Sequence, residues 1–102
     1  LATVTKPAAV TIDSVASLKR GAVDLKWNKV SGANGYQIAY ADNSKFKSVK
    51  KSNISSGNKK SSAVTGLKSG KRYYFKVRAY KSISGKKVYG PYSAVKNAIV
   101  RW

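Results

Sequence analysis

The 102-residue chain contains no cysteine, histidine or methionine, and its only carboxylate side chains belong to three aspartates. Without cysteine there is no disulfide and no thiolate metal site, and without histidine the usual general base and imidazole ligand are missing. We interpret Asp13, Asp24 and Asp42 as surface residues that pair with some of the many lysines, rather than as a glycosidase pair or a calcium site. The composition therefore predicts no catalytic residues, no cofactor and no metal.

Long hydrophobic runs are also missing. No stretch approaches the roughly 18 apolar residues that a membrane-spanning helix needs, and no secretory signal peptide is present. Because the chain contains no methionine, it does not begin at a start codon. We expect a mature fragment, or a module of a larger protein, with no membrane span.

Negative charge is scarce and positive charge is abundant, with 21 lysines and arginines and a net charge of +18. The electrostatic field of such a charge attracts nucleic acid, anionic polysaccharide, anionic wall polymer or an acidic membrane surface. The charge alone does not indicate which of these is the partner. The competing interpretation is a solvated lysine-rich surface without a dedicated ligand. Hydrophobic residues make up 42% of the chain and aromatic residues 11%, which is enough for one folded core.

Apolar and polar residues alternate along several short segments, as they do in half-buried strands. Sequences rich in Gly, Ser and Asn separate these segments as turns, among them residues 83–87, and no segment shows a helical apolar stripe. The spacing predicts an all-β sandwich of about seven antiparallel strands in two sheets, preceded by a linker over residues 1–6. The strands are predicted near residues 10–18, 22–27, 35–40, 47–54, 60–65, 72–80 and 94–100.

Residues 67–73 resemble a tyrosine corner. Leu67 is followed by Gly70 three positions later and by Tyr73 six positions later, directly before an alternating strand. In that motif a phenol hydroxyl bonds to upstream backbone where the chain crosses between two sheets. We expect the Tyr73 hydroxyl to donate a hydrogen bond to the backbone near Leu67 or Lys68.

The chain resembles an immunoglobulin-like fibronectin type III domain, and we assign that domain to residues 7–102. The matching features are Trp27 at the end of the second strand, "GYQIAY" at 35–40, the corner, and "YGPYS" at 89–93. Ser69 stands where a proline is common in the corner. The residues to which the resemblance gives a structural role are Trp27, Tyr36, Ile38, Leu67, Gly70 and Tyr73.

The resemblance implies a non-catalytic spacer or scaffold module, monomeric, whose partners are the neighbouring domains of an extracellular or cell-surface protein. The lysine-rich insertion at residues 42–50 is similar to versions in secreted and surface proteins of low-GC Gram-positive bacteria. A secreted, Gram-positive bacterial location is therefore expected. Integrin-type adhesion is not expected, because the loop before the last strand reads "KSISGKK" and lacks Arg-Gly-Asp.

The outer face of the sixth predicted strand is a candidate binding face for an anionic polymer, in which sugar rings would lie on tyrosine and sulfate or phosphate on arginine. The third strand should pair with it, and its outward residues Gln37, Ala39 and Ala41 are expected to form a low, flat floor. The alternative is that long cationic side chains simply cover the sheet. The candidate residues are Arg72, Tyr74, Lys76, Arg78 and Tyr80.

Three functions remain open. The first is the spacer, and the second is a binding module for wall teichoic acid, acidic polysaccharide or glycosaminoglycan. The third is non-specific nucleic-acid binding; specific recognition is not expected, because residues 70–80 lack the Gly-aromatic step of an RNA-recognition strand and no accompanying helices are predicted. The glycosylation sequon at residues 53–55 is interpreted as a chance match.

Overall fold

The computed structural model describes residues 8–101, except for the side chain of Leu18. This part of the chain folds as two antiparallel sheets without a helix, which confirms the predicted all-β sandwich. The predicted linker over residues 1–6 and the last residue of the predicted domain, Trp102, lie outside the described residues. The strands are β1 (Ile12–Lys19), β2 (Ala22–Trp27), β3 (Gly35–Ala41), β4 (Lys50–Ile54), β5 (Ser61–Val64), β6 (Arg72–Ile83), β7 (Lys86–Tyr89) and β8 (Lys96–Ile99).

The two sheets have three and five strands. The first has the order β1-β2-β5, and the second has the order β4-β3-β6-β7, with β8 also paired to β6. The predicted pairing of the third and sixth strands is confirmed: β3 and β6 run antiparallel from Gly35 opposite Tyr80 to Ala41 opposite Tyr74. Since directly opposite residues share a face, this register puts the alternating residues of both strands on common inner and outer faces.

The hairpin between β6 and β7 corrects the turn predicted over residues 83–87. β6 continues to Ile83, and the turn is confined to Ser84 and Gly85, whose φ angles are 49° and 80°. β7 then pairs with the end of β6, from Tyr80 opposite Tyr89 onward. The segment is rich in lysine and glycine, which have low strand propensity, and its apolar and polar residues do not alternate. Its sequence therefore did not predict β7, which is the strand beyond the seven expected.

β7 and β8 lie on the same side of β6 and are separated by an irregular segment, residues 90–95. The Ser93 N–H donates to the Val77 carbonyl at 2.7 Å, and the Ser93 Oγ accepts from the Val77 N–H at 3.0 Å. The Gly90 N–H donates to the Ala79 carbonyl at 3.0 Å. The backbone groups of β6 are therefore satisfied through the irregular segment, and the side chain of Tyr92 turns toward the outer face.

The core lies between the inner faces of the two sheets. Trp27 is 1% exposed, and its ring centroid is 5.4 Å from that of Tyr36. On the inner face of the five-stranded sheet, Tyr40 stacks on Phe75 with centroids 6.1 Å apart. Burial of a large apolar side chain of this kind contributes about 1.5–3 kcal/mol. The buried cluster comprises Val10, Ile12, Val23, Leu25, Trp27, Val30, Tyr36, Ile38, Val64, Tyr73, Phe75, Val77, Ala79 and Val100.

The described chain enters at one end of the sandwich and leaves at the other. Ile12 pairs with Trp27 at the end formed by the β2–β3 and β4–β5 loops and the β6–β7 hairpin, which we call the upper end. At the opposite, lower end, Arg20 forms a parallel bridge with Arg101. The Arg101 N–H also donates to the Oγ of Ser17 at 2.8 Å. β1 and β8 therefore run in the same direction, with their last residues at the lower end.

Candidate functional site

Cations and aromatic rings alternate along the outer face of β6. The Lys76 ammonium lies 4.3 Å from the ring centroid of Phe46 and 4.4 Å from that of Tyr92. The Arg78 guanidinium carbon lies 4.5 Å from the Tyr92 centroid and 3.7 Å from that of Tyr89. Each cation thus lies between two rings, and each such contact contributes about 0.5–2 kcal/mol. We refer to these five residues as the cation–aromatic ladder.

The β3–β4 loop holds Phe46 over the sheet. The Asn43 Oδ1 accepts from the Lys47 N–H at 2.9 Å, and its Nδ2 donates to the Lys47 carbonyl at 3.0 Å. The Phe46 N–H donates to the Asn43 carbonyl at 3.2 Å, and Phe46 has a φ of 54°. A bulky residue rarely adopts this left-handed conformation. The Asn43 clamp and the contact with Lys76 fix Phe46 in it.

A buried amide orients Arg78. Gln37 is 5% exposed, and its Oε1 accepts from the Nε of Arg78 at 2.9 Å. The same oxygen accepts from the Tyr92 hydroxyl at 3.4 Å, while Gln37 Nε2 donates to Asn53 Oδ1 at 3.0 Å. Rings on both sides and the bond to Gln37 already engage Arg78, which leaves it fewer free donors for an external anion.

The structure corrects the prediction that Tyr80 is exposed on this face. Tyr80 is 4% exposed, although the alternation does place it on the outer side of β6. Its ring packs edge-on against Tyr89, with centroids 6.0 Å apart, and its hydroxyl lies 3.5 Å from the Ile54 carbonyl. A Cβ at Gly35 would lie 2.5 Å from the Tyr80 hydroxyl, so the glycine makes the space that Tyr80 fills.

The predicted flat floor is also corrected. Gln37, Ala39 and Ala41 do point outward from β3, but they are only 5%, 1% and 5% exposed. Ala39 lies between Lys51 on β4 and Lys76 on β6, and long side chains of this kind cover small neighbours. Gln37 and Ala39 are therefore covered and form no open floor on the outer face.

The remaining candidate residues of the outer face lie apart from the ladder. Arg72 and Tyr74 lie at the lower end of β6, opposite Ile99 and Asn97 of β8. The Arg72 Nη1 donates to the Asn97 Oδ1 at 2.6 Å, and Tyr74 is half-buried. Of the five residues selected from the sequence, the structure brings Lys76 and Arg78 together.

The tyrosine corner has the predicted partner, with the opposite direction of donation. The Lys68 N–H donates to the Tyr73 hydroxyl at 3.1 Å, whereas the sequence predicted that this hydroxyl is the donor. The Lys68 carbonyl accepts from the Lys71 N–H at 3.3 Å. Gly70 has a φ of 80° and its N–H donates to the Val100 carbonyl at 2.7 Å.

Tyr36 fastens the upper end in a way that the sequence analysis missed. It is fully buried, and its hydroxyl accepts from the Val30 N–H at 2.9 Å and donates to the Gly57 carbonyl at 3.0 Å. One phenol thus joins the β2–β3 loop to the β4–β5 loop. The available signal was a tyrosine, rather than a phenylalanine, on the inner side of a central strand, because a buried hydroxyl needs a partner.

The aspartates do not form a site. Among the described residues, Asp42 and Lys71 form the only ion pair, with Oδ2 and Nζ 3.0 Å apart at the lower end. The hydrogen bond from Lys71 lowers the pKa of Asp42, and the bond from Asn43 lowers it further. The bond between Asp42 and Lys71 also raises the pKa of Lys71. No group of three metal-ligating side chains occurs within residues 8–101.

A family model described as "Fibronectin type III domain" matches residues 6–95. The chain belongs to the fibronectin type III family. Domains of this family are commonly modules of larger extracellular proteins. Within the described part of this fibronectin type III chain, no helix is long and apolar enough to cross a membrane.

The curated relatives are much longer than this chain. The Kelch domain-containing protein SSO1033 of Saccharolobus solfataricus is 49% identical over 61 residues, which are 60% of this chain and 8% of the relative. Contactin-3 of Mus musculus is 33% identical over 94 residues, which are 86% of this chain and 9% of the relative. The fibronectin type III chain therefore spans less than a tenth of either relative.

Solved structures share the fold. The FN1–FN3 domains of chicken CNTN1 match with a TM-score of 0.76 and 27% identity, over 92% of this chain and 31% of that one. A structure titled "Myokine structure" matches with a TM-score of 0.76 and 18% identity, over 95% of this chain and all of that one, which supports the fold alone.

Proposed function

We propose that this domain is a non-catalytic spacer module in a larger extracellular or cell-surface protein. The observation that carries the proposal is the path of the chain, which enters beside Ile12 at the upper end and leaves beside Arg101 at the lower end. Modules with this path join head to tail, and each adds its own length to the parent protein. The extracellular setting rests on the family and on the similarity to Contactin-3.

The outer face also supports a spacer. The ladder cations Lys76 and Arg78 contact rings of the same molecule, and Arg78 bonds to Gln37. A face that satisfies its own polar groups needs no ligand to complete it. A Gram-positive bacterial parent belongs to this proposal as well, and it rests on the likeness of residues 42–50 alone.

A tandem protein of three copies tests the spacer. We expect small-angle scattering to show a maximum dimension that grows by about 30–40 Å per copy, since an eight-residue strand spans about 26 Å and loops extend it. A matched tandem with ten-residue Gly/Ser linkers, which lets the copies reorient, should give a broader distribution of distances. A direct tandem no longer than a single copy, or one as variable as the linker control, would contradict the proposal.

Binding of an anionic polymer is the second candidate, favoured by the net charge of +18 and by the alternation of cations with rings in the ladder. Titrations of heparin, teichoic acid and DNA at about 150 mM salt, where the Debye length is about 8 Å, separate a built site from generic attraction. The Arg72→Ala/Lys76→Ala/Arg78→Ala variant is compared with a control that loses Lys29, Lys59 and Lys86. Equal losses in the two variants, without preference for one polymer, would leave only non-specific polyanion and nucleic-acid binding.

A further inference from the structure

A cleft of about 470 Å³ opens at the lower end of the sandwich. It lies between the β3–β4 loop and the loop that connects β5 to β6, and none of the five ladder residues lines it. Its volume is in the range of small-ligand sites, about 300–1,000 Å³. Neither the family assignment nor the spacer proposal gives this cleft a role.

Hydroxyl groups dominate the polar lining of the cleft. Four side chains, two phenols and two aliphatic alcohols, contribute them, and each hydroxyl can both donate and accept a hydrogen bond. The Tyr73 residue is 9% exposed; its hydroxyl accepts from Lys68, and its own proton has no acceptor among residues 8–101. The hydroxyl-bearing lining residues are Tyr40, Ser48, Thr65 and Tyr73.

An aromatic ring forms one wall. Tyr40 stacks on Phe75 with an interplanar angle of 26°, which fixes the orientation of its ring. Tyr40 is half-buried and lines the cleft, so part of its side chain is accessible from it. Such a fixed ring offers a flat apolar platform at little cost in side-chain entropy.

The rim carries uncompensated positive charge. Asp42 also lines the cleft, but it pairs with Lys71 at 3.0 Å, and this is the only ion pair in the described part of the chain. Lys50 and Lys68 line the cleft as well, both are exposed, and neither has a carboxylate partner within residues 8–101. An anionic group at the rim would therefore meet two free ammonium groups.

We propose that this cleft binds one acidic sugar ring of a polysaccharide, a hexuronate. The apolar face of the ring would pack on Tyr40, its hydroxyls would exchange bonds with the four hydroxyls of the lining, and its carboxylate would face Lys50 and Lys68. A flat aromatic acid fits less well, because it would leave the hydroxyls without partners. A neutral sugar fits less well too, because it would leave the two ammonium groups uncompensated.

The experiment is a heteronuclear NMR titration of the whole domain at about 150 mM salt, where generic attraction is screened. The probes are trigalacturonate and its methyl ester, which keeps the rings and removes the charge. We expect the largest amide shifts at residues 65–68 and at Ser48, and an affinity for the ester at least about tenfold weaker, equivalent to about 1.4 kcal/mol. Larger shifts along β6 and residues 90–92 would place the ligand on the ladder and overturn the proposal.

Two variants that lose the same charge distinguish binding in the cleft from attraction by the overall positive charge of the domain. Lys50→Gln/Lys68→Gln should weaken trigalacturonate binding about tenfold, whereas Lys86→Gln/Lys96→Gln, which removes two exposed lysines outside the cleft, should change it less than twofold. Tyr40→Phe removes a hydroxyl that has no partner in the described chain and should weaken binding about threefold without shifting the unfolding midpoint. A cleft site would be refuted if the two lysine variants lost affinity equally. It would also be refuted if the native domain did not bind the probe at about 10 mM.

Discussion

The upper and lower ends of the sandwich are each fastened by the hydroxyl of a buried tyrosine residue, but the two bonds differ in their surroundings. At the upper end, Tyr36 joins two loops through an amide and a carbonyl, and the amide belongs to Val30, which is only 4% exposed. At the lower end, Tyr73 accepts a single bond from Lys68, an exposed residue. Water can replace the phenol as the acceptor for the Lys68 N–H, but it reaches the Val30 N–H only if the upper end of the sandwich opens.

The tyrosine corner at Tyr73 can be recognised from the sequence, but the bonds of Tyr36 contribute more to the stability of the domain. A corner can be identified from spacing because its glycine and tyrosine occur within one short segment. The bond from Tyr36 to Gly57 joins residues that are 21 positions apart along the chain, so no local pattern indicates it, although the bond to Val30 spans only 6 positions. The energetic difference follows from burial, because a lost hydrogen bond costs most where solvent cannot take its place.

The Tyr36→Phe substitution should have the largest effect. It leaves the buried Val30 N–H and the half-buried Gly57 carbonyl without the phenol, and an unsatisfied buried group costs about 1–3 kcal/mol. We expect a loss of about 2–4 kcal/mol in the free energy of unfolding by urea denaturation. A loss smaller than that of the corresponding change at the corner would reverse the comparison.

The Tyr73→Phe substitution should cost about 1 kcal/mol, because a single N–H loses its partner and that N–H belongs to an exposed residue. Tyr74→Phe is the matched control one position along β6, where the side chain faces outward and is half-buried. It should change the free energy of unfolding by less than about 0.5 kcal/mol. Equal costs at positions 73 and 74 would mean that solvent reaches both hydroxyls alike.

The two ends should respond independently. Tyr36 lies opposite Ala79, and Ala79 is six positions from Tyr73 along β6, a distance of about 20 Å. The double variant should therefore lose the sum of the single losses within about 0.5 kcal/mol. A larger coupling energy in this cycle would show that the two ends open together.

The smallest effect concerns the ion pair of the lower end. The pKa of Asp42 is lowered in the folded state, so its contribution is present above the unfolded value near 3.8 and is lost as the pH falls through the folded pKa. The pKa of Lys71 is raised, so that contribution is present below 10.5 and is lost as the pH rises through the folded pKa. Both groups are exposed and solvent screens their pair. Asp42→Asn should leave the urea midpoint between pH 5 and 9 unchanged, and a clear drop there would show a stronger pair than solvent screening allows.

Much of the fold could be predicted from the sequence because alternation decides which face of a strand is buried. The alternation does not reveal how neighbouring side chains cover the outer face of the five-stranded sheet. Tyr80 has outward parity and is nevertheless buried, since Gly35 leaves a space beside it and Tyr89 closes it. Ala39 is hidden for a similar reason, beneath lysines from the two adjacent strands.

The candidate site was less predictable because its parts come from separate loops. Lys76 and Arg78 could be identified from β6, but the rings on either side belong to Phe46, Tyr89 and Tyr92. Phe46 reaches its place only through the left-handed turn that Asn43 clamps. The spacing of the corner likewise identifies Tyr73 and its partner Lys68 but does not reveal that the Lys68 N–H is the donor.

The parallel course of the first and last strands determines how the domain carries mechanical load. A pull on its two ends draws β1 toward the upper end and β8 toward the lower end, so the contact between them is sheared along its length. That contact includes the Arg20–Arg101 bridge and the bond from Arg101 to Ser17, both of which lie across the direction of the pull. The same pull loads the pairing of β8 with β6 and that of β1 with β2, so the first extension is resisted by these three contacts together.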